Sequence, residues 1–279
     1  MREAVRGLLS AAGISDPQVD ADLLIGFVLD ASRGRVQAMA ITDTAVSPDD
    51  AATINELTTR RAAREPLQHI TGQAPFRSLV LAVGPGVFVP RPETEQVTQI
   101  AIDRLNQSEL PEPIAVDLGT GSGAIALALA TEVPRARVFA VEKSVDAFLW
   151  TRRNFDAVAA PNATLVLGDL ADAFPEIDGT ADVVISNPPY IPDAAIPREV
   201  EVRLHDPGAA LYGGEDGLDV VRAVSTRAQM LLHPGGTLIL EHGEEQGPGI
   251  RALLAADGWR TPRTTPDLSG RDRATSAIR

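Results

Sequence analysis

Residues 114–123, Ile114-Ala115-Val116-Asp117-Leu118-Gly119-Thr120-Gly121-Ser122-Gly123, read as a short apolar strand running straight into a glycine turn. An alanine-rich helix to about Ala130 follows, giving the strand–turn–helix form of a nucleotide-binding unit. Downstream the pattern recurs. Arg137 to Val141 ends in Glu142, Thr164 to Leu167 in Gly168-Asp169, Ala181 to Ile185 in Ser186-Asn187, and Thr237 to Leu240 in Glu241. Further strands are expected around Trp259 and from Ala274 to Ile278. Strands alternating with helices predict an α/β domain whose parallel sheet is covered on both faces. Ligands of such sheets bind at the carboxyl edge. The glycine turn, Glu142, Asp169 and Asn187 all fall at that edge.

The glycines are spaced G-x-G-x-G, not G-x-G-x-x-G, and Asp117 immediately precedes them. A carboxylate there opposes a pyrophosphate, which argues against a dinucleotide dehydrogenase, but it attracts an ammonium or sulfonium. S-adenosylmethionine carries both cations and no phosphate. Glu142 is placed for its ribose hydroxyls, and the Asp169-Leu170 region for its adenine, with Asp169 accepting from the amino group.

Ser186-Asn187-Pro188-Pro189-Tyr190 supplies the second half of a site. A residue before proline is held extended, so Asn187 is presented in one orientation. Consecutive prolines lack N–H groups, which leaves the Pro188 carbonyl with few local partners. Tyr190 adds a flat aromatic wall with a polar tip. Two acceptors beside a stacking face form a socket for a planar group bearing an NH2.

Upstream of Pro75 the chain reads as helices. Val5, Leu8, Leu9 and Ala12 share one face, with Gly13 as a stop. Asp16-Pro17 opens a second helix with Leu23, Leu24, Phe27 and Val28 inward, and Ser47-Pro48 opens a third, running to about Arg64. Ser78 to Val83 and Val87 to Val89 are expected to pair as a hairpin around Gly84-Pro85-Gly86. Pro90-Arg91-Pro92-Glu93-Thr94-Glu95 then starts a helix. The expected organisation is a helical partner-binding domain at 1–73, a β-hairpin linker at 74–92 and a methyltransferase domain at 93–279.

The chain has 279 residues, no cysteine, one lysine and a net charge of −13. Before Val80 there are eight basic and ten acidic residues; from there on, seventeen and twenty-eight. Neither half has the basic excess of a general nucleic-acid binder. Disulfide and thiolate chemistry are excluded, and a cytoplasmic location is expected. No run long enough for a membrane span and no leader are expected. The four histidines lack metal-ligand spacing, so no metal is expected.

With these motifs in place the chain resembles the release factor glutamine methyltransferases, the PrmC/HemK family. The resemblance covers Arg64-Glu65-Pro66-Leu67-Gln68-His69-Ile70-Thr71-Gly72, Pro90 to Glu95, Asp117 to Gly123, and Asn187 to Tyr190. It continues through Gly213-Gly214-Glu215-Asp216-Gly217-Leu218, Glu241-His242-Gly243 and Gly270-Arg271-Asp272-Arg273. It implies a Rossmann-like class I methyltransferase sheet behind a helical bundle, acting as a monomer. The implied reaction is N5-methylation of the glutamine in the Gly-Gly-Gln loop of class I peptide chain release factors, with S-adenosyl-L-homocysteine as by-product. It implies Asn187, Pro188 and Tyr190 at the reacting amide, with Pro189, Phe76 and Arg91 also on the substrate. The implied cofactor residues are Asp117, Gly119, Thr120, Gly121, Ser122, Gly123, Glu142, Asp169, Leu170, Asn187 and Thr94. Two positions depart from the pattern: Arg77 and Leu170 stand where aromatics are common in the family. Competing readings are a nucleic-acid amino-methyltransferase acting on adenine N6 or guanine N2, and a helical interaction module without turnover.

Overall fold

The computed structural model describes residues 1–279. The chain divides into two compact units, one made of Met1–Gln73 with Pro197–His205, the other of Ala74–Ile196 with Asp206–Arg279.

The first unit holds α1 (Arg2–Ala11), α2 (Pro17–Val28), α3 (Arg33–Ile41), α4 (Pro48–Ala62) and α5 (Leu67–Thr71). Prolines in the first turn start α2 and α4, and the Ser47 side chain caps α4 by accepting from the Asp50 N–H at 3.1 Å. Val5, Leu9, Ala21, Leu24, Ile25, Val36, Ile54 and Leu57 form its core. The inward face differs from the expected one at three positions: Leu8, Leu23 and Phe27 are exposed. In α2 the stripe follows Ala21, Leu24, Ile25 and Val28, so residues one position off it point out. Helix α3 was not expected, because only Val36 of its nine residues is buried and it has no apolar periodicity.

The returning segment of this unit carries a short helix, α9 (Val200–His205). Its Glu201 accepts from Arg61 at 2.9 Å and lies 3.3 Å from Arg64.

The second unit begins with a hairpin, β1 (Gln73–Phe76) and β2 (Leu79–Ala82). Its turn is therefore Arg77-Ser78, one strand earlier than the expected Gly84-Pro85-Gly86. Val87 and Val89 are buried, but flanking prolines lack the N–H groups a ladder needs, and the segment packs against Ala147 and Trp150 without pairing. Gly84 is required there, since a Cβ would meet the Trp150 ring at 2.4 Å.

Helix α6 (Pro92–Gln107) follows, then β3 (Ile114–Leu118), α7 (Ala124–Glu132), β4 (Arg137–Glu142), α8 (Val145–Val158), β5 (Ala163–Leu167) and β6 (Ala181–Ser186). The unit closes with α10 (Asp219–Leu231), β7 (Leu232–Glu241), α11 (Gly247–Ala256), β8 (Arg260–Pro266) and β9 (Asp272–Ile278). The seven-stranded sheet has the order β5-β4-β3-β6-β7-β9-β8, parallel except for β9, which runs antiparallel to both neighbours. Both faces are covered. Val116, Leu118, Val184, Leu238 and Leu240 pack on one side, and Ala115, Val183, Ile185 and Ile239 on the other. That is why each central strand reads as an unbroken apolar run. No helix is long and apolar enough to cross a membrane.

Candidate active site

Strand β3 and helix α7 hold the glycine turn. Gly119 and Gly121 sit at φ +80° and +57°, and a Cβ on either would meet nothing within 4 Å, so both leave open space beside the backbone. Gly123, at φ +85°, faces the other way, against Phe155 and Thr151 at 3.1 and 3.2 Å. The turn is pinned from behind. The N–H groups of Gly119 and Thr120 both donate to the Val141 carbonyl at 3.0 Å, the Thr151 hydroxyl donates to the Gly121 carbonyl, and the Asn154 amide donates to the Ser122 carbonyl at 2.9 Å.

Asp117 is wholly buried beneath this turn. Its Oδ2 accepts from the Thr120 hydroxyl at 2.6 Å and the Ala126 N–H at 3.2 Å, while Oδ1 has no partner. Burial pushes its carboxyl up to about 7 against the pull of those two donors, with Glu142 adding to the rise. Glu142, at the end of β4, accepts from the Gly121 N–H at 2.8 Å and the Ser144 N–H at 2.7 Å; burial pushes it up too, and the N–H groups pull it back. Asp169 caps the short turn after β5 through the Ala171 N–H at 3.0 Å and pairs with Lys143 at 2.8 Å; both lower its pKa. Leu170 packs, half-buried, against the sheet core.

The Asn187 loop leaves β6 at the same edge. Pro188 is buried, and Asn187, Pro189 and Tyr190 are half-buried. The Asn187 amide nitrogen lies 3.4 Å from the Thr94 hydroxyl. Burial, followed by the nearby Glu241 carboxylate, pushes the Tyr190 phenol up to about 12, so it stays protonated. Gly213 and Gly217 support the loop from below: a Cβ would meet the Pro189 carbonyl oxygen at 2.5 Å or the Tyr190 carbonyl oxygen at 2.3 Å. The Gly213-Gly214-Glu215-Asp216-Gly217 motif is thus a floor on which the prolines rest. Gln246 clamps the far end, donating to the Tyr190 carbonyl at 2.8 Å and accepting from the Gly243 N–H at 3.0 Å.

Two of the expected substrate residues are otherwise engaged. Phe76 is 1% exposed in a cluster with Leu81, Ala124, Leu127 and Ala128, so its ring anchors the hairpin and is withdrawn from the socket. Arg91 donates to the buried Asp206 carboxylate at 2.9 Å and lies over the Phe88 ring at 4.9 Å.

Residues 1–72 match the PrmC N-terminal domain model, and residues 79–211 match the methyltransferase small domain model. A release factor glutamine methyltransferase of Streptomyces coelicolor is 47% identical over 274 residues, covering 96% of this chain and 93% of its own. The chain belongs to the release factor glutamine methyltransferase family. A Streptomyces pristinaespiralis relative, a 4-amino-L-phenylalanine/4-methylamino-L-phenylalanine methyltransferase, is 40% identical and covers 91% of this chain and 90% of its own. Among solved structures, the T. thermophilus 16S rRNA N2 G1207 methyltransferase in complex with AdoMet and guanosine superposes with a TM-score of 0.53 at 22% identity, covering 74% of this chain and 49% of that one; it shares the fold.

For a family member the edge is well suited to a cationic cofactor. The Oδ1 of Asp117 lacks a donor, the glycines leave their flank open, and Glu142 offers a buried carboxylate. Thr151, Asn154, Gln246 and Glu241 were not expected to take part. Thr151, Asn154 and Gln246 belong to no local motif that signals their contacts, and Glu241, though it ends a strand in the Glu241-His242-Gly243 motif, meets its partners only through the order of the strands.

Proposed function

We propose that this chain transfers a methyl group from S-adenosylmethionine to the side-chain nitrogen of the glutamine in the Gly-Gly-Gln loop of class I peptide chain release factors. The near-full-length identity to a release factor glutamine methyltransferase carries this reading, because it spans the accessory PrmC N-terminal domain as well as the catalytic sheet. In this proposal the helical domain at residues 1–73 serves the protein partner, and the enzyme is a cytoplasmic monomer. Asp117, Gly119, Thr120, Gly121, Ser122, Gly123, Glu142, Asp169 and Leu170 would hold the cofactor, with Thr94 and Asn187 closing its reactive end.

The cofactor supplies a methyl group already activated by a sulfonium leaving group. What the protein must add is a better nucleophile. An amide nitrogen is poor because its lone pair is delocalised, as the roughly 18–20 kcal/mol barrier to amide rotation shows. No side chain here is strong enough to deprotonate it, and Tyr190, protonated far above neutrality, is no base. Positioning and electrostatics remain. In the proposed pose one amide hydrogen is donated to the Asn187 side-chain oxygen and the other to the Pro188 carbonyl. Both acceptors raise electron density on nitrogen and offset the positive charge it gains, Tyr190 packs on the amide plane to exclude water, and the proton departs to solvent.

The identity to the 4-amino-L-phenylalanine methyltransferase favours a second reading, an arylamine acceptor in the same socket. Adenine N6 or guanine N2 would also satisfy two acceptors, but the net charge of −13 opposes a polyanion. Labelled S-adenosylmethionine should be offered separately with a release factor, its glutamine-to-alanine variant, 4-amino-L-phenylalanine, tRNA and DNA. Label on the release factor alone, lost with the glutamine, is expected. Label on nucleic acid or only on the amino acid overturns the proposal.

A further inference from the structure

The Asn187 side chain can point either end of its carboxamide at the substrate, and only one end accepts a hydrogen bond. Something must hold it the right way round. We propose that Glu241, through Thr94, is the positioning residue that fixes the orientation of Asn187 and, as a buried negative charge behind it, favours the charge that develops on the substrate nitrogen. This inference rests on the glutamine reading given above.

Strand β7 pairs with β6 up to Ser186 opposite Leu240, so Asn187 and Glu241 come one residue beyond the last registered pair, side by side at the carboxyl edge. Glu241 is 2% exposed and Thr94, in the first turn of α6, is 4% exposed. The Thr94 hydroxyl and the Asn187 amide both lie against the Glu241 carboxylate and lower its pKa, and the Asn187 nitrogen lies 3.4 Å from the Thr94 hydroxyl. A carboxylate only accepts, so the Asn187 atom facing it must be the NH2. With its hydroxyl hydrogen given to Glu241, Thr94 has a lone pair left for that same NH2. The three side chains therefore form a directed chain of donors ending on one carboxylate, and the Asn187 oxygen is left to face the socket. If Asn187 turned over, two oxygens would be buried against each other at a cost of several kcal/mol by order of magnitude.

The charge of Glu241 matters as well as its geometry. Positive charge moves from sulfur to nitrogen during transfer, and a fixed negative group near the receiving atom favours that movement, more so away from water. The surroundings keep this charge poised. Arg273 on β9 attracts it while being shared with Asp267; Glu93 on α6 repels it; the neutral Tyr190 phenol lies close by, and His242, the next residue on the strand, turns its ring to the Gly243 carbonyl and Thr275. Burial raises the Glu241 carboxyl to about 7, against the Thr94 hydrogen bond and the Arg273 charge. Its Oε2 has no hydrogen-bond partner.

The test is single-turnover and steady-state methylation of a release factor at saturating cofactor, where titration of Asp117 no longer enters. Wild type, Glu241→Gln, Thr94→Val and Thr94→Ser are compared from pH 6 to 9. Glu241→Gln should lower kcat roughly ten- to hundredfold, the loss of a hydrogen bond to a charged group. S-adenosylhomocysteine affinity by calorimetry and KM for the release factor should stay within about threefold of wild type. The wild-type kcat should rise with pH through neutrality, and that rise should be absent in Glu241→Gln. Thr94→Val should lose kcat to a similar extent, and Thr94→Ser, which keeps the hydroxyl, should recover it. If Glu241→Gln keeps the wild-type kcat and pH rise, or Thr94→Val is as active as Thr94→Ser, the positioning role is overturned. Failure of Glu241→Gln to fold leaves the Thr94 pair as the deciding measurement. Release factor that takes no label even from wild type overturns the glutamine reading, and this inference with it.

Discussion

Asp22 in the helical unit and Asp117 at the sheet edge are the same residue type, and both are 0% exposed. Their pKa values move in opposite directions. Burial would raise Asp22, but Arg2 at 2.5 Å, Gln37 at 2.9 Å and Arg33 at 3.5 Å outweigh it and hold the carboxyl below its ordinary value. Asp117 has only a hydroxyl and one N–H, both on the same oxygen, and burial wins. The lesson is that burial does not separate a structural acid from a functional one. The number of donors the fold supplies does. A structural carboxylate is completed by its own chain, whereas one reserved for a ligand is left short.

The contrast can be broken most directly at Asn187, whose side-chain oxygen the proposed pose reserves for the substrate amide. Asn187→Ala should lower turnover roughly 10²- to 10³-fold, as removal of a preorganised transition-state partner does, while cofactor affinity and urea midpoint stay near wild type. Loss of stability with unchanged turnover would reverse the distinction. Asp22→Ala should do the opposite. Arg2 and Arg33 are partly exposed and can turn to water, so the cost should be about 1–3 kcal/mol in urea unfolding, the range for losing a charged hydrogen-bond partner. Turnover per folded molecule should not change.

Asp117→Asn sharpens the comparison through pH. With a folded-state pKa near 7 and an unfolded value near 4, the folded protein holds a proton that the unfolded chain has released. The contribution of Asp117 to the stability of the cofactor-free protein should therefore be lost as pH rises from about 4 to about 7, then level off. Asp117→Asn removes one contributor, so the fall in urea midpoint between pH 5 and pH 8 should be smaller than in wild type. Glu241 and Glu142, also raised by burial, act in the same sense, and the buried His242, lowered by burial, acts in the opposite one. Cofactor affinity at pH 8 should drop roughly tenfold, since a neutral amide attracts an ammonium less. An unchanged slope would mean that Asp117 is ionised throughout this range.

This comparison also explains what could be read in advance. Asp117, Glu142 and Asp169 each end an apolar run or precede a glycine turn, and period and punctuation are local signals. Asp22 sits inside a helix with no motif, and its partners Arg2 and Gln37 lie 20 and 15 residues away. The role of Glu241 depends on strand order, which places β7 beside β6 and cannot be read from spacing. The hairpin was displaced for a related reason. Gly84-Pro85-Gly86 is a strong turn signal and does form a turn, but the strands pair around Arg77-Ser78, where a non-glycine residue takes φ +54°.

Arg77 gives the smallest and most discriminating test, because it combines backbone strain with a well-partnered charge. Left-handed backbone costs a non-glycine residue roughly 1 kcal/mol. Against that, the guanidinium is donated bidentately to Glu132 at 2.5 and 2.6 Å, to the Glu95 carbonyl at 3.0 Å and to Gln99 at 2.7 Å, tying the hairpin turn to α6 and α7. Arg77→Ala keeps the strain and loses the tie, and should cost about 1–2 kcal/mol. Arg77→Gly loses the tie and the strain together, and should be about 1 kcal/mol more stable than Arg77→Ala. The backbone N–H bond to Glu95 at 2.9 Å survives in both, so the difference between the two variants isolates the conformational cost. Equal midpoints in urea would show that the turn relaxes out of the left-handed region once the guanidinium is gone, and that the ion pairs, not the chain, hold Arg77 there.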